Sequence, residues 1–341
     1  MSTIAAVRKP LTPSQRRTIE FILDNLVWFI LVAVLMLFSA SIPSFFQSGI
    51  FVNIIEQSTY VGVMAIGLAI VVIAGHMDLS VESTAGLCAM ITGILFAGRG
   101  IGLGIVLTPE WLVLPVSLLI VLAVGSIIGI INGLLVVKLR MNAFIVTLAS
   151  YIWVHGLVDA ISGGRSAQDL STYLRFIAIQ TFGSIPLIAW IAIICFVVFS
   201  FILVKTPYGR HVFLIGGNPV AAFRAGIKVD RAILIAFVLA GAIAGLAGWL
   251  LAIRTSGATA NLGVGTLFRA FAAVVIGGVS LKGGIGQLPG VYAGVLLLST
   301  IQTAMNLMAL PVQYTQVILG LLVLAAVLLD TVKLAIRQRL A

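Results

Sequence analysis

The stretch FAAVVIGGVSLKGGIGQLPG, Phe271 to Gly290, sets a lysine among glycines, the raw material of a phosphate-cradling loop. A nucleotide-binding loop of that kind needs Gly-x-x-x-x-Gly-Lys-Ser/Thr, with the lysine directly after the last glycine and a hydroxyl to hold magnesium. Here Lys282 precedes Gly283 and Gly284, and no Ser or Thr follows. The chain is not expected to hydrolyse nucleotide itself. GHMDLSVE gathers His76, Asp78 and Glu82, but His155 and His211 lie far off in the chain and no second ligand group accompanies the cluster. The simpler assignment is that Asp78 or Ser80 caps a helix whose first turn holds Glu82, where the helix dipole favours an anion. Paired aspartates or a Ser–His pair for intramembrane proteolysis are not evident. No catalytic residue, metal site or cofactor is expected.

The elements that must position these residues follow from composition. Of 341 residues, 61% are hydrophobic and 9% charged, against about 45–50% and about 25% in soluble domains. The solvent is a lipid bilayer. Runs able to cross about 30 Å of hydrocarbon fall near 26–46, 54–75, 82–97, 111–137, 143–162, 185–204, 232–252, 266–281, 289–309 and 313–331. The expected fold is therefore all-α and polytopic, with about ten transmembrane helices. The first run lacks an Ala-x-Ala-like site and reads as a retained span. Residues 1–25 form a cytoplasmic segment, 26–332 the transmembrane domain and 333–341 a cytoplasmic tail. Cys88 and Cys195 both sit in apolar runs and imply no disulfide.

Charge orients these spans. With the N-terminus inside, the even-numbered loops and the two ends hold fifteen of the twenty Lys and Arg residues. The outer loops hold only Arg99, Arg165, Arg175 and Arg254, and Arg269 falls inside a span. That asymmetry is the positive-inside pattern, with both termini cytoplasmic. The net charge of +10 thus reads as topology. Nucleic-acid binding would need a basic soluble face, and none exists.

The loop KTPYGRHVFLIGGNPVAAFRAGIKVDR, 205–231, is too long for a tight turn. Asn218 can cap a short helix that begins at Pro219 and ends at Gly226. It is either a docking helix or a basic loop lying on the membrane surface. Gly125, Gly129 and Gly133, and Gly241, Gly245 and Gly248, form small-residue stripes suited to close helix packing. AIVVIAGHMDLS (69–80) echoes AAVVIGGVSLKG (272–283), with Ala69, Val71, Val72, Ile73 and Gly75 repeated. Interrupted apolar segments in two halves point to a transport route. Secondary carriers place ionisable groups mid-membrane to bind coupling ions. Asp159 and Asp330 can reach an interface here, so an external motor is favoured over a self-sufficient carrier. Arg269 either snorkels outward or serves the passage of substrate.

GLAIVVIAGHMDLSVES, NGLLVVKLRMNAFIVTLASYIWVHGL, TPYGRHVFLIGGNPVAAFRAGI, AAVVIGGVSLKGGIGQLPGVYAGVLL and QYTQVILGLLVLAAVLLD stand in this order. Together they resemble the permease subunits of bacterial sugar ABC importers of the ribose/xylose/arabinose type, from about Phe51 to Val332. The resemblance implies an inner-membrane permease that pairs with a second permease subunit, copy or paralogue. It also implies a separate ABC ATPase and a periplasmic substrate-binding protein as partners. It assigns coupling to the ATPase to Gly216, Gly217, Asn218, Ala221, Ala222 and Gly226. The translocation route falls to Gly75, Asp78, Ser80, Arg269, Gly277, Gly278, Ser280, Gly283 and Gly284. Two departures stand out. Glu82 replaces the family's usual glycine after Asp-Leu-Ser-Val, and Leu267-Phe268-Arg269 replaces its usual Glu-Leu-Asp. An Arg269 on the route would favour an anionic or strongly polar solute.

Overall fold

The computed structural model describes residues 13–311, with 313, 314, 317, 318, 320–325, 327, 328 and 331. Twelve α-helices between Pro13 and Leu307, a single 3-10 turn at Glu110–Leu112 and five short strands appear among them. In chain order they are α1 (Pro13–Ser41), α2 (Ser48–Ile73), α3 (Val81–Phe96), β1 (Ala97–Gly100), α4 (Val113–Val137) and α5 (Ala143–Ser162). Then come β2 (Ala167–Leu170), α6 (Thr172–Ile179), β3 (Thr181–Phe182), β4 (Ile185–Pro186), α7 (Leu187–Lys205), α8 (Pro207–Gly217) and α9 (Pro219–Arg224). The series ends with α10 (Val229–Thr255), β5 (Gly257–Ala258), α11 (Thr266–Ile276) and α12 (Leu288–Leu307). The described residues of the tenth expected span, 313–331, are helical. Arg8, Lys9, Lys333, Arg337 and Arg339 lie outside the described residues.

Among the described residues, six helices are long and apolar enough to cross a bilayer, and three shorter apolar helices join them, at 25–41, 81–96 and 266–276. The fold is that of an all-α polytopic membrane protein. With 1.5 Å of rise per residue, α3 spans only about 24 Å and α11 about 16 Å. Each is short because the chain leaves helical geometry beside it: residues 74–80 precede α3, and 277–287 follow α11.

Burial sorts the helices. α2 is buried without a break from Ser58 to Ile73, and it packs against α7, α10, α11 and α12. α10 packs against α2, α3 and α4. α4, α5 and α7 leave most of their apolar surface uncovered, as helices facing acyl chains or another subunit must. The stripes read from the sequence form the α4–α10 seam, except Gly248, which lies against Ala85 of α3. A Cβ on Gly125 would stand 2.1 Å from the Gly241 carbonyl oxygen, so the two backbones touch. Without a hydrophobic force between helices in lipid, such close packing supplies the association.

Two features escape the all-α expectation, the smaller being the antiparallel β3–β4 pair. β1, β2 and β5 form a small antiparallel sheet that pairs Arg99 with Gln168 and Ala167 with Ala258. Its strands follow α3, α5 and α10, so these three connections meet at one end of the bundle. Strands of two to four residues are too short to leave a period-two pattern.

Candidate functional site

Two small helices make an elbow between α7 and α10. Thr206 caps α8, its Oγ1 accepting from Gly209 N at 3.3 Å. Asn218 caps α9, its Oδ1 accepting from Ala221 N at 2.9 Å. α9 ends as expected at Gly226, whose φ is +82°. Gly226 N donates to Phe223 O and Ile227 N to Ala222 O, the paired bonds of a Schellman termination. The short helix expected at Pro219 is therefore present, and a second one, α8, precedes it. The outer side of the elbow is apolar and uncovered: Leu214, Val220 and Phe223 are 55%, 60% and 71% exposed. A cavity of about 410 Å³ lies beside them, lined by Phe213, Gly217, Asn218, Ala221 and Ala222 among others. Of the expected coupling residues, Gly217, Asn218, Ala221 and Gly226 are exposed and Ala222 is buried.

Gly216 faces the other way. A Cβ there would stand 1.8 Å from Ile73 O and 2.5 Å from Gly284 N. Ile73 O already accepts from Gly284 N at 2.8 Å. Gly283 lies against Gly75, its virtual Cβ 2.8 Å from the Gly75 Cα. Three remote segments thus meet backbone to backbone: the elbow, the end of α2 and the turn 280–284. In that turn Ser280 O accepts from Gly283 N and Ser280 Oγ from Lys282 N, and Lys282 is exposed.

The sequence echo has a structural counterpart. At the end of α2, Gly75 N donates to Val72 O and His76 N to Val71 O, with Gly75 at φ +83°. At the end of α11, Gly278 N donates to Val275 O and Val279 N to Val274 O, with Gly278 at φ +89°. Both helices stop by the same motif at matching positions of the repeat.

Half-buried Tyr208 of α8 has its hydroxyl buried without a hydrogen-bond partner, and burial pushes the phenol above its ordinary pKa. Tyr208→Phe removes a group that nothing satisfies. It is expected to leave thermal stability unchanged or raise it by up to about 1 kcal/mol, as read by a melting curve.

Behind the joint a polar chain crosses three helices. Asp78 Oδ1 accepts from Ser80 N at 2.9 Å and from Ser80 Oγ at 2.6 Å. Asn132 Nδ2 of α4 donates to Ser80 Oγ at 2.8 Å, and Ser150 Oγ of α5 donates to Asn132 Oδ1 at 2.5 Å. Trp153 Nε1 donates to Ser150 Oγ at 3.3 Å. Neither expected cap of α3 operates. Ser80 holds the N-cap position but makes no side-chain cap bond, because its hydroxyl is committed to Asp78 and Asn132. His76 packs edge-on to Phe237, with Nδ1 3.1 Å from Ala74 O. Among the described residues, no three His, Cys, Asp or Glu side chains converge as a metal set. Asn132 and Ser150 carry this chain but were not singled out by sequence reasoning. The available signal was two polar residues on otherwise apolar spans.

Residues 50–327 match the family described as branched-chain amino acid transport system / permease component. The chain belongs to this permease family. The permease is 35% identical to the ribose import permease protein RbsC of Bacillus subtilis, over 90% of its own length and 91% of that protein. It is 34% identical to the L-arabinose ABC transporter permease protein AraH of Azospirillum brasilense, over 89% and 86%. It is 31% identical to the autoinducer 2 import system permease protein LsrC of Yersinia pestis, over 92% and 86%. No solved structure matches the permease. It is a transport component and not an enzyme.

The two departures from the sugar-permease pattern meet in the permease. Glu82 does lie in the first turn of α3, yet its Oε2 accepts from Leu267 N at 2.6 Å. A carboxylate thus caps the start of α11 from across the bundle. Tyr151 OH donates to Glu82 Oε1 at 3.4 Å. Arg269 is not brought to Asp78, Ser80 or Ser280. Its guanidinium lies over the Tyr60 ring at 5.9 Å, a ring that Arg254 also approaches, at 5.8 Å, while pairing with Glu56 at 2.9 Å. Arg269 lines an apolar cavity of about 410 Å³ with Phe268, Ala272, Leu298 and Val323.

Proposed function

We propose that this permease is the membrane subunit of a binding-protein-dependent importer in the bacterial inner membrane, carrying a sugar or sugar-like solute. A separate ABC ATPase drives it, a periplasmic binding protein delivers solute, and a second permease subunit completes the path. Relatives named for ribose and L-arabinose support the solute class. Ten spans with both termini in the cytoplasm agree with the positive-inside charge pattern. The exposed apolar faces of α4, α5 and α7 supply surface for lipid and for the second subunit.

One observation carries the mechanism: the elbow with exposed Leu214, Val220 and Phe223 is stitched through Gly216 to Ile73 and Gly284. A motor engaging α9 displaces α8, and α8 has no side chain at Gly216 to cushion the displacement. The load passes to the ends of α2 and α11 together. In this reading Gly75, Gly277, Gly278, Gly283 and Gly284, with the Ser280 turn, form the joint. Asp78 and Ser80 form the polar plug behind it.

Phe223→Asp tests this assignment. Phe223 is 71% exposed, so the change leaves the bundle intact while placing a charge in an apolar contact. The reconstituted importer should lose most of its solute-stimulated ATP hydrolysis and uptake. Hydrolysis and uptake at the parent rate would remove the elbow from the coupling role.

A further inference from the structure

Arg269 is a cation in the first turns of the apolar helix α11, and the coupling joint leaves it without a role. It is half-buried, and no carboxylate among the described residues pairs with it. Its guanidinium meets the ring of Tyr60 at 5.9 Å. Arg254 approaches the same ring at 5.8 Å but is held by Glu56 at 2.9 Å. Two guanidinium groups and one carboxylate leave a positive charge in excess around Tyr60. Arg254 stands in the last turn of α10, just before β5, so this charge lies at the sheet end of the bundle. Contact with an aromatic face offsets part of the cost of an unpaired arginine but brings no opposite charge. A cation beside hydrocarbon is expensive, and a like charge nearby adds repulsion.

The cavity of about 410 Å³ beside Arg269 shows what is missing. Phe268, Ala272, Leu298, Gly320 and Val323 line it, and Arg269 is the polar side chain of the lining. Ala272 of α11 and Leu298 of α12 are buried, while Phe268 and Gly320 are exposed at the opening. The cavity therefore lies between α11, α12 and the helical stretch at 320–323, and it opens away from the core. Such walls suit a ligand with an anionic end and a long apolar body. A sugar would find no acceptor there, because a guanidinium only donates. A small free anion would leave the apolar walls unfilled.

We propose that this cavity binds an anionic phospholipid, with an acyl chain along its apolar walls and the phosphate on Arg269. The phosphate supplies the absent negative charge, and the planar guanidinium fork can reach two of its oxygens. Arg269 stands near the start of its helix, where a long side chain snorkels to headgroup level. The bilayer delivers the ligand at the opening, where exposed Phe268 meets acyl chains. A lipid seated there touches α11, α12 and the 320–323 stretch at once, so its binding stabilises the folded bundle by mass action. The site depends on the bundle and its solvent, whatever solute the permease carries.

The test uses the full chain, stripped of lipid in detergent and followed by native mass spectrometry and melting curves. It is titrated with dioleoyl phosphatidylglycerol, with dioleoyl phosphatidylcholine, and with glycerophosphoglycerol, the first headgroup without its chains. The parent should retain phosphatidylglycerol in preference to phosphatidylcholine, and its melting temperature should rise with the former. Arg269→Gln should weaken phosphatidylglycerol retention about tenfold and cancel the preference, while Arg269→Lys keeps most of it. Gly320→Phe puts a ring into the cavity with Arg269 intact, and nothing lies within 4 Å of that Cβ position to disturb the fold. It should abolish the retention and the thermal shift. Glycerophosphoglycerol should neither bind nor stabilise. Equal phosphatidylglycerol retention by the parent, Arg269→Gln and Gly320→Phe would overturn the proposal. Binding of glycerophosphoglycerol as tightly as the lipid would do the same, by making the site one for a free anion. So would a spontaneous disulfide between two Phe268→Cys copies in a Cys88→Ala, Cys195→Ala background, which would place a second permease over the cavity.

Discussion

Gly216→Ala is expected to abolish uptake and to lower the melting temperature of the permease, while Gly217→Ala, one residue on, leaves both near the parent. The added methyl at 216 meets Ile73 O and Gly284 N, both backbone atoms that cannot rotate away. Making room for it pulls apart the Gly284 N–Ile73 O bond. Overpacking of this kind costs about 1–3 kcal/mol, and more where backbone must shift. At 217 nothing lies within 4 Å, and a methyl there also lowers the entropy of the unfolded chain. Melting curves in detergent read the stability and vesicle uptake reads the coupling. A Gly216→Ala permease that melts with the parent would break the account of the three-segment joint.

Asn132→Leu should be nearly as damaging, by about 2 kcal/mol, because it strands polar partners in a dry interior. Asn132 is fully buried and bridges Ser80 to Ser150 through both ends of its amide. The informative variant is the triple one, Ser80→Ala with Asn132→Leu and Ser150→Ala. Removing all partners together leaves far fewer unsatisfied groups, so stability should recover much of the loss. A triple variant less stable than the sum of its parts would show that these side chains do not act as one chain.

Much of this molecule was legible in its residues. The spans showed because apolar runs are long, and the α9 helix because Asn218, Pro219 and Gly226 are strong local punctuation. The ends of α2 and α11 were legible as an echo because the motif is local, set by glycine at one position. What stayed hidden depends on contacts distant in sequence. The role of Glu82 is decided by Leu267 N, 185 residues away, and that of Asn132 by neighbours on two other helices. The apolar part of α1 begins at Asn25, as read, but the helix itself starts at Pro13, because its polar first turns leave no hydropathy signal. The small sheet is made by loops converging after three separate helices, a fact of tertiary structure alone.

The matched stops of α2 and α11 have a mechanical corollary. Two helices halted by the same pair of hydrogen bonds are also linked to each other, through the bond from Gly284 N, in the turn after α11, to Ile73 O at the end of α2. In the proposed coupling, a thrust delivered at Gly216 reaches both halves of the bundle through that one bond.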